Sequence, residues 1–258
     1  MSELRADPDA FIGVVPTTWK HDNVEAVSQT HREHWHEDIQ IDLEPTDDED
    51  DLFARGELHL ADRPTVPLVV EEPIEELMNL IPTSKEPYTP TEAMLIKQHV
   101  ACWRFVIEDG EERGKDAAMD FAKVASTFVE AGGAGVFMPG TAALHSPGFI
   151  KLVTMDLSHP QAMTNLCINC WDADGWMATR GLTAFGLPEL ETEIDEGANA
   201  AYFRLMDIAA GMINQGTPYP KGSRLNVGPK SYELVEGPHG PEDEQVPISG
   251  TFGVLTVQ

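Results

Sequence analysis

Basic side chains are scarce in this chain. Its 258 residues hold 17 Lys and Arg against 44 Asp and Glu, a formal net charge of −27. A surface built from that balance repels phosphate backbones and anionic lipid, so neither nucleic acid nor membrane is an expected partner. A basic protein patch, cations or a salt-rich medium suits it better, because salt screens the self-repulsion. Cysteine is also scarce, at three residues, an odd number that builds no disulfide framework. Cys102, Cys167 and Cys170 fall in apolar, strand-like runs and read as buried thiols of a reducing compartment. Long apolar runs are missing, and no window approaches the ~18 residues of a membrane helix. The opening "MSELRADPDA" is polar and acidic, without the apolar centre of a secretory signal, so a cytoplasmic setting is expected.

What is present is a sizeable apolar fraction, 41% of residues, enough for a packed core. The chain reads as one α+β domain over 1–258, with a solvated acidic loop at about 37–55. "FIGVVP" predicts a first strand, and Val24, Val27 and His31 recur at helical spacing behind Asp22 and Asn23. "RGELHLADRPTVPLVVEE" predicts two strands, and "PIEELMNLIP" a short helix bounded by prolines. "AMLIKQHVACWRFVIEDG" is apolar on both alternating faces and predicts a long central strand. "KDAAMDFAKVASTFVEAGG" and "GANAAYFRLMDIAAGMINQG" predict long helices ending at glycine. "CINCWDADGWMATRG" predicts a hairpin turning at "DADG". The hairpins point to a mixed, largely antiparallel sheet, and two loosely similar strand–helix–strand units suggest a duplicated ferredoxin-like plan.

Four stretches invite chemistry. "HREHWHE" gathers His31, His34 and His36, of which His31 and His34 would share a helix face as metal ligands. The neighbouring carboxylates are expected to hold these histidines protonated. Residues 37–51 carry nine carboxylates, and Asp47, Asp48 and Asp50 are the candidate ligands for a hard cation, though the EF-hand spacing is missing. Cys167 and Cys170 form C-x-x-C. On a strand, that spacing sends them to opposite faces, which argues against a redox pair or a metal knuckle. "TRGLTAFGLPELETEI" sets Arg180 near Glu189 and Glu191, with Glu193 in the same alternating row. Two carboxylates and an arginine could do acid–base work in a pocket, or equally form a salt-bridged sheet corner. No phosphate loop, dinucleotide fingerprint or nucleophile elbow is found, and no cofactor is expected.

"MATRGLTAFGLPELETEI", with "CINCW" before it and "GTPYPKGSRLNVG" after it, resembles the bacterial family called domain of unknown function 4261. The matching positions are Thr179, Gly181, Leu182, Phe185, Gly186, Pro188, Glu189, Leu190 and Glu191. Upstream, "FIGVVP", "VPLVVEEPIEEL", "KQHVACWRFVI" and "AGVFMP" follow the order of that family. The resemblance implies an α+β fold in an intracellular bacterial setting and brings no catalytic residues. The expectation is a non-enzymatic, adaptor- or immunity-like protein that binds a basic partner protein or copies of itself. The alternative is a ligand-binding enzyme or hydrolase using Arg180, Glu189 and Glu191.

Overall fold

The computed structural model describes residues 10–46, 52–60, 63–107, 114–159, 161–238 and 252–258. Among these, two sheets and six α-helices follow one another as an α+β fold. The first sheet contains β1 (Phe11–Thr17), β2 (Ile39–Pro45), β3 (Leu52–Leu60), β4 (Val66–Glu71), β5 (Ala101–Ile107), β6 (Val136–Met138) and β7 (Ala143–His145). They run in the order β2-β3-β4-β5-β1-β6-β7, every pair antiparallel. The second contains β8 (Asn169–Ala173), β9 (Trp176–Arg180), β10 (Glu189–Glu193), β11 (Arg224–Val227), β12 (Lys230–Glu236) and β13 (Val254–Val257). Its order is β11-β12-β13-β10-β9-β8, with β10 and β13 parallel. The two sheets differ in strand count and in strand order.

Alternation decides which face of the first sheet is buried. Ile39, Ile41, Ala54, Leu58, Val66, Leu68, Val70, Trp103, Phe105 and Val15 all point to one side and are buried. There they meet α1 (Val24–Trp35) and α3 (Lys115–Glu130). The α3 pattern places Phe121, Val124, Ala125 and Phe128 on the sheet. The Phe128 ring stacks on Phe105 at 5.9 Å and lies 5.3 Å from Trp103. Each such aromatic contributes roughly 2–3 kcal/mol by leaving water. The same apolar cluster continues through α4 (Pro147–Thr154), α5 (Ala162–Cys167) and α6 (Ala198–Gln215) to Leu190, Leu234 and Leu255 of the second sheet. One continuous core therefore joins both sheets.

Among the described residues, the outer face of the first sheet is covered only in part. A 3-10 segment (Glu75–Thr83) and α2 (Pro90–Lys97) lie over Val14 and Cys102. Farther out, Gln40, Asp42, Glu44, Arg55 and Glu57 on β2 and β3 are exposed. Residues 39–45 and 52–55 of the expected acidic loop are therefore strand, the acids of β2 alternating with Ile39, Ile41 and Leu43.

The long strand expected over 93–107 is two elements, α2 and then β5. Thr89 and Glu92 form a capping box. The Thr89 hydroxyl accepts from Glu92 N at 3.2 Å, and the Glu92 carboxylate accepts from Thr89 N at 2.7 Å. With Pro90 at the first helical position, this starts a helix that apolar alternation alone does not reveal. The expected "DADG" hairpin is present, with Asp174 at φ 51° and Gly175 at φ 84° between β8 and β9.

Candidate functional site

The segment that carries the most polar chemistry is the corner from β9 to β10. Here the chain leaves Arg180, makes a short 3-10 turn (Leu182–Phe185) and returns as β10. Gly181 (φ 113°) and Gly186 (φ 72°) bracket the turn in the left-handed region, which a side chain disfavours. At Gly181 a Cβ would also sit 2.2 Å from the Cys167 carbonyl oxygen. Glu189, 3% exposed, reaches back into this turn. Its Oε1 accepts from Gly181 N at 2.9 Å and Thr183 N at 3.3 Å, and its Oε2 accepts from the Thr179 hydroxyl at 2.7 Å. The Thr179 oxygen in turn accepts from Leu190 N at 2.8 Å. Burial pushes the Glu189 carboxyl above its ordinary range, and the donors around it pull the other way. The carboxylate thus caps the start of the turn from the strand that follows it, satisfying N–H groups that would otherwise be orphaned.

Glu191 is fully buried as well and accepts from the Thr256 hydroxyl at 2.6 Å, which ties β10 to β13. Glu193 is exposed. The Arg180 guanidinium lies 5.2 Å from the centre of the Trp171 ring, a cation–π distance. The structure therefore brings Arg180, Glu189 and Glu191 to one corner and occupies both carboxylates with hydrogen bonds inside the fold. The crevice beside them, lined by Ile12, Thr141, Cys167, Gly181 and Ala184, measures about 10 Å³. That is the room of about one water. A hollow of about 180 Å³ lies elsewhere, between the start of α3 and the end of α6, where Lys115 donates to Asn214 at 3.3 Å.

A second polar cluster surrounds Lys85, in the loop before α2. Its ammonium donates to the carbonyls of Asn165 and Ile168 and so closes the end of α5. Burial lowers its pKa to about 8, partly offset by Cys170 and Cys167 close by. The thiols of Cys102 and Cys170 are pushed up to about 12 by burial, and that of Cys167 higher still. All three cysteines are free thiols. The expected strand geometry of C-x-x-C is corrected here. Cys167 ends a helix while Cys170 lies on β8, and both are near the one amine. High thiol pKa values leave little thiolate to react at neutral pH. His145, fully buried, bonds through Nε2 to the Leu166 carbonyl at 2.9 Å and stacks on Phe149. Burial and Lys85 lower its pKa to about 3.

The histidines of α1 separate. His31 is fully buried against α3, while His34 is exposed and packs on Trp35 at 4.7 Å. Thr127 Oγ1 gives its single proton to the Lys123 carbonyl, so it accepts from His31 Nδ1 at 2.8 Å. His31 Nε2 then carries a bare lone pair. Burial, not the neighbouring carboxylates, dominates this ring and lowers its pKa to about 4, the reverse of the expected protonated state. Asp47, Asp48 and Asp50 lie outside the described residues. Among the described residues, no trio of His, Cys, Asp or Glu closes on a common point as a metal centre requires.

The third polar place is the outer face of β2 and β3. Asp42 lies directly opposite Glu57 across the strand pair. His59 Nε2 is 3.3 Å from Asp42 and 3.8 Å from Glu57. Farther in, Arg104 forms a two-pronged pair with Glu71, its closest contact 2.6 Å.

Lys85, His145, Thr179 and Thr256 escaped the sequence reading. Lys85 and His145 bond to carbonyls distant in sequence, which no periodicity marks. Thr179 stood inside the conspicuous motif but offered no charge. No protein-family model, curated protein or solved structure matches the chain. No helix among the described residues is long and apolar enough to cross a membrane.

Proposed function

We propose that the chain is a non-enzymatic, adaptor- or immunity-like protein that works in the cytoplasm by binding another protein. The observation that carries this reading is the opposition of Asp42 and Glu57, both exposed, on the outer face of β2 and β3. Like charges placed directly opposite on a sheet lower its stability. The Gln40 amide and His59 answer this pair in part within the chain, and a cationic side chain of a partner would add a full charge and two charge-assisted contacts. The excess of 44 acidic over 17 basic residues favours a basic partner over an acidic one, and it steers such a partner inward. Membership of the family of unknown function named above belongs to the same proposal. Self-association is its second form, with a further copy in place of the basic partner.

The alternative, an enzyme using Arg180, Glu189 and Glu191, draws support from the raised pKa of Glu189. The internal hydrogen bonds of both carboxylates and the one-water crevice weigh against it. Native mass spectrometry of the protein isolated from its own cells tests the choice. A bound protein is expected. A bare chain carrying a small molecule would overturn the reading in favour of the alternative.

A further inference from the structure

The registers of the first sheet define a row of side chains across its outer face. Asp42 is opposite Glu57, and Glu57 is opposite Pro67. With β4 and β5 aligned at Leu68 and Phe105, Pro67 falls beside Val106, which is opposite Ile12. The row grades from exposed carboxylates at β2 and β3 to half-exposed apolar side chains at β5 and β1. The neighbouring row runs from Glu44 and Arg55 through half-exposed Val69 to Arg104. Arg104 is held by Glu71, so its charge is already met. Among the described residues, this face therefore has an end rich in carboxylates, with Arg55 among them, and an apolar end, and α2 and the 3-10 segment leave the carboxylates exposed.

Resting on the protein-binding reading above, we infer that this face receives an amphipathic segment of another protein. Lys or Arg at one end of that segment sits between Asp42 and Glu57, and apolar side chains at the other end lie on Val69, Val106 and Ile12. Charge complementarity fixes both the occupant and its direction. The dimensions agree. Four strand spacings of about 4.8 Å separate β2 from β1, about 19 Å in all. A helix of about 13 residues spans that distance. Within the chain, Asp42 already accepts from the Gln40 amide at 2.9 and 3.0 Å and faces His59 Nε2, which also lies near Glu57, so the incoming Lys or Arg adds to these contacts.

The test is calorimetric titration with a synthetic peptide of about 13 residues, lysines in one half and leucines at helical spacing in the other. Three variants are compared with the wild-type chain, each first shown to be folded by circular dichroism. They are Asp42→Lys/Glu57→Lys, a charge-matched control Glu33→Lys/Glu233→Lys, and Val106→Ser. The expected result is a loss of affinity of about tenfold or more in the first and a smaller loss in the third. The control is expected to stay within about threefold of the wild type. Equal losses in the two charge variants would mean that net charge alone attracts the peptide, and would overturn the assignment of this face. So would failure of the wild-type chain to bind. If a protein partner still co-purified from cells with all three variants, protein binding would stand and only this face would be excluded. If none co-purified even with the wild type, the underlying reading would fail.

Discussion

The Thr179 hydroxyl donates to Glu189 Oε2 at 2.7 Å while its oxygen accepts from Leu190 N, so one threonine joins two strands and a buried carboxylate. The same carboxylate holds the N–H groups of Gly181 and Thr183. Replacing Glu189 by Ala leaves these donors buried and unpaired. A loss on the order of 3–5 kcal/mol is expected in denaturant melts. Glu189→Gln keeps an oxygen for the turn and has no charge to desolvate. Because the fold raises the Glu189 pKa, it favours the neutral form, and ionisation of Glu189 costs stability as pH rises above the ordinary carboxyl range. Near-wild-type stability of Glu189→Gln at neutral pH is therefore expected. A loss equal to that of Glu189→Ala would contradict the capping role.

Gly181 and Gly175 make a matched pair. Both have positive φ, but a Cβ at Gly175 meets open space, whereas one at Gly181 collides with the Cys167 carbonyl. Gly175→Ala is expected to cost about 1 kcal/mol, the left-handed penalty alone. Gly181→Ala should cost several times more, or prevent folding. Equal melting temperatures for the two variants would show that the corner yields more readily than its geometry implies.

Acid should weaken the fold in a defined window. His31 and His145 titrate at about 4 and about 3 in the folded chain, below the ordinary histidine value of 6.5. The unfolded state therefore takes up protons first. Their contribution is complete above pH 6.5 and is lost as pH falls toward those lower values. For His145 the loss is on the order of 4 kcal/mol. Stability measured between pH 7 and pH 4 should fall with this slope, and the slope should be shallower in His145→Gln. An unchanged slope would remove His145 from the explanation.

The carboxylate excess predicts a salt response. Added salt screens repulsion among exposed acids such as Asp42 and Glu57, so the unfolding midpoint should rise with ionic strength. A flat response would mean that the repulsion is already relieved within the folded chain.

Much of the architecture was legible from local pattern. Alternation marked β3 and β4, helical spacing marked α1, α3 and α6, and Asp174–Gly175 marked its hairpin. The helix α2 was missed because Met94, Ile96, Val100 and Cys102 alternate well enough to suggest one strand. The decisive Thr89–Glu92 capping box lies just upstream. The corner motif was legible as turn chemistry, since Gly181, Gly186 and Pro188 announce it. The role of Glu189 was not, because charge in a sequence does not reveal burial. The opposition of Asp42 and Glu57 was equally hidden, since cross-strand register depends on where the hairpin turns.

The most direct test of the functional account is purification of the protein from its own cells at low salt. The wild-type chain is compared with Asp42→Lys/Glu57→Lys, and co-purifying proteins are identified by mass. The account predicts a basic protein that accompanies the wild-type chain, is shed as salt is raised, and is missing from the double variant. Absence of any partner in the wild-type preparation, or the same salt-resistant partner in both, would contradict it.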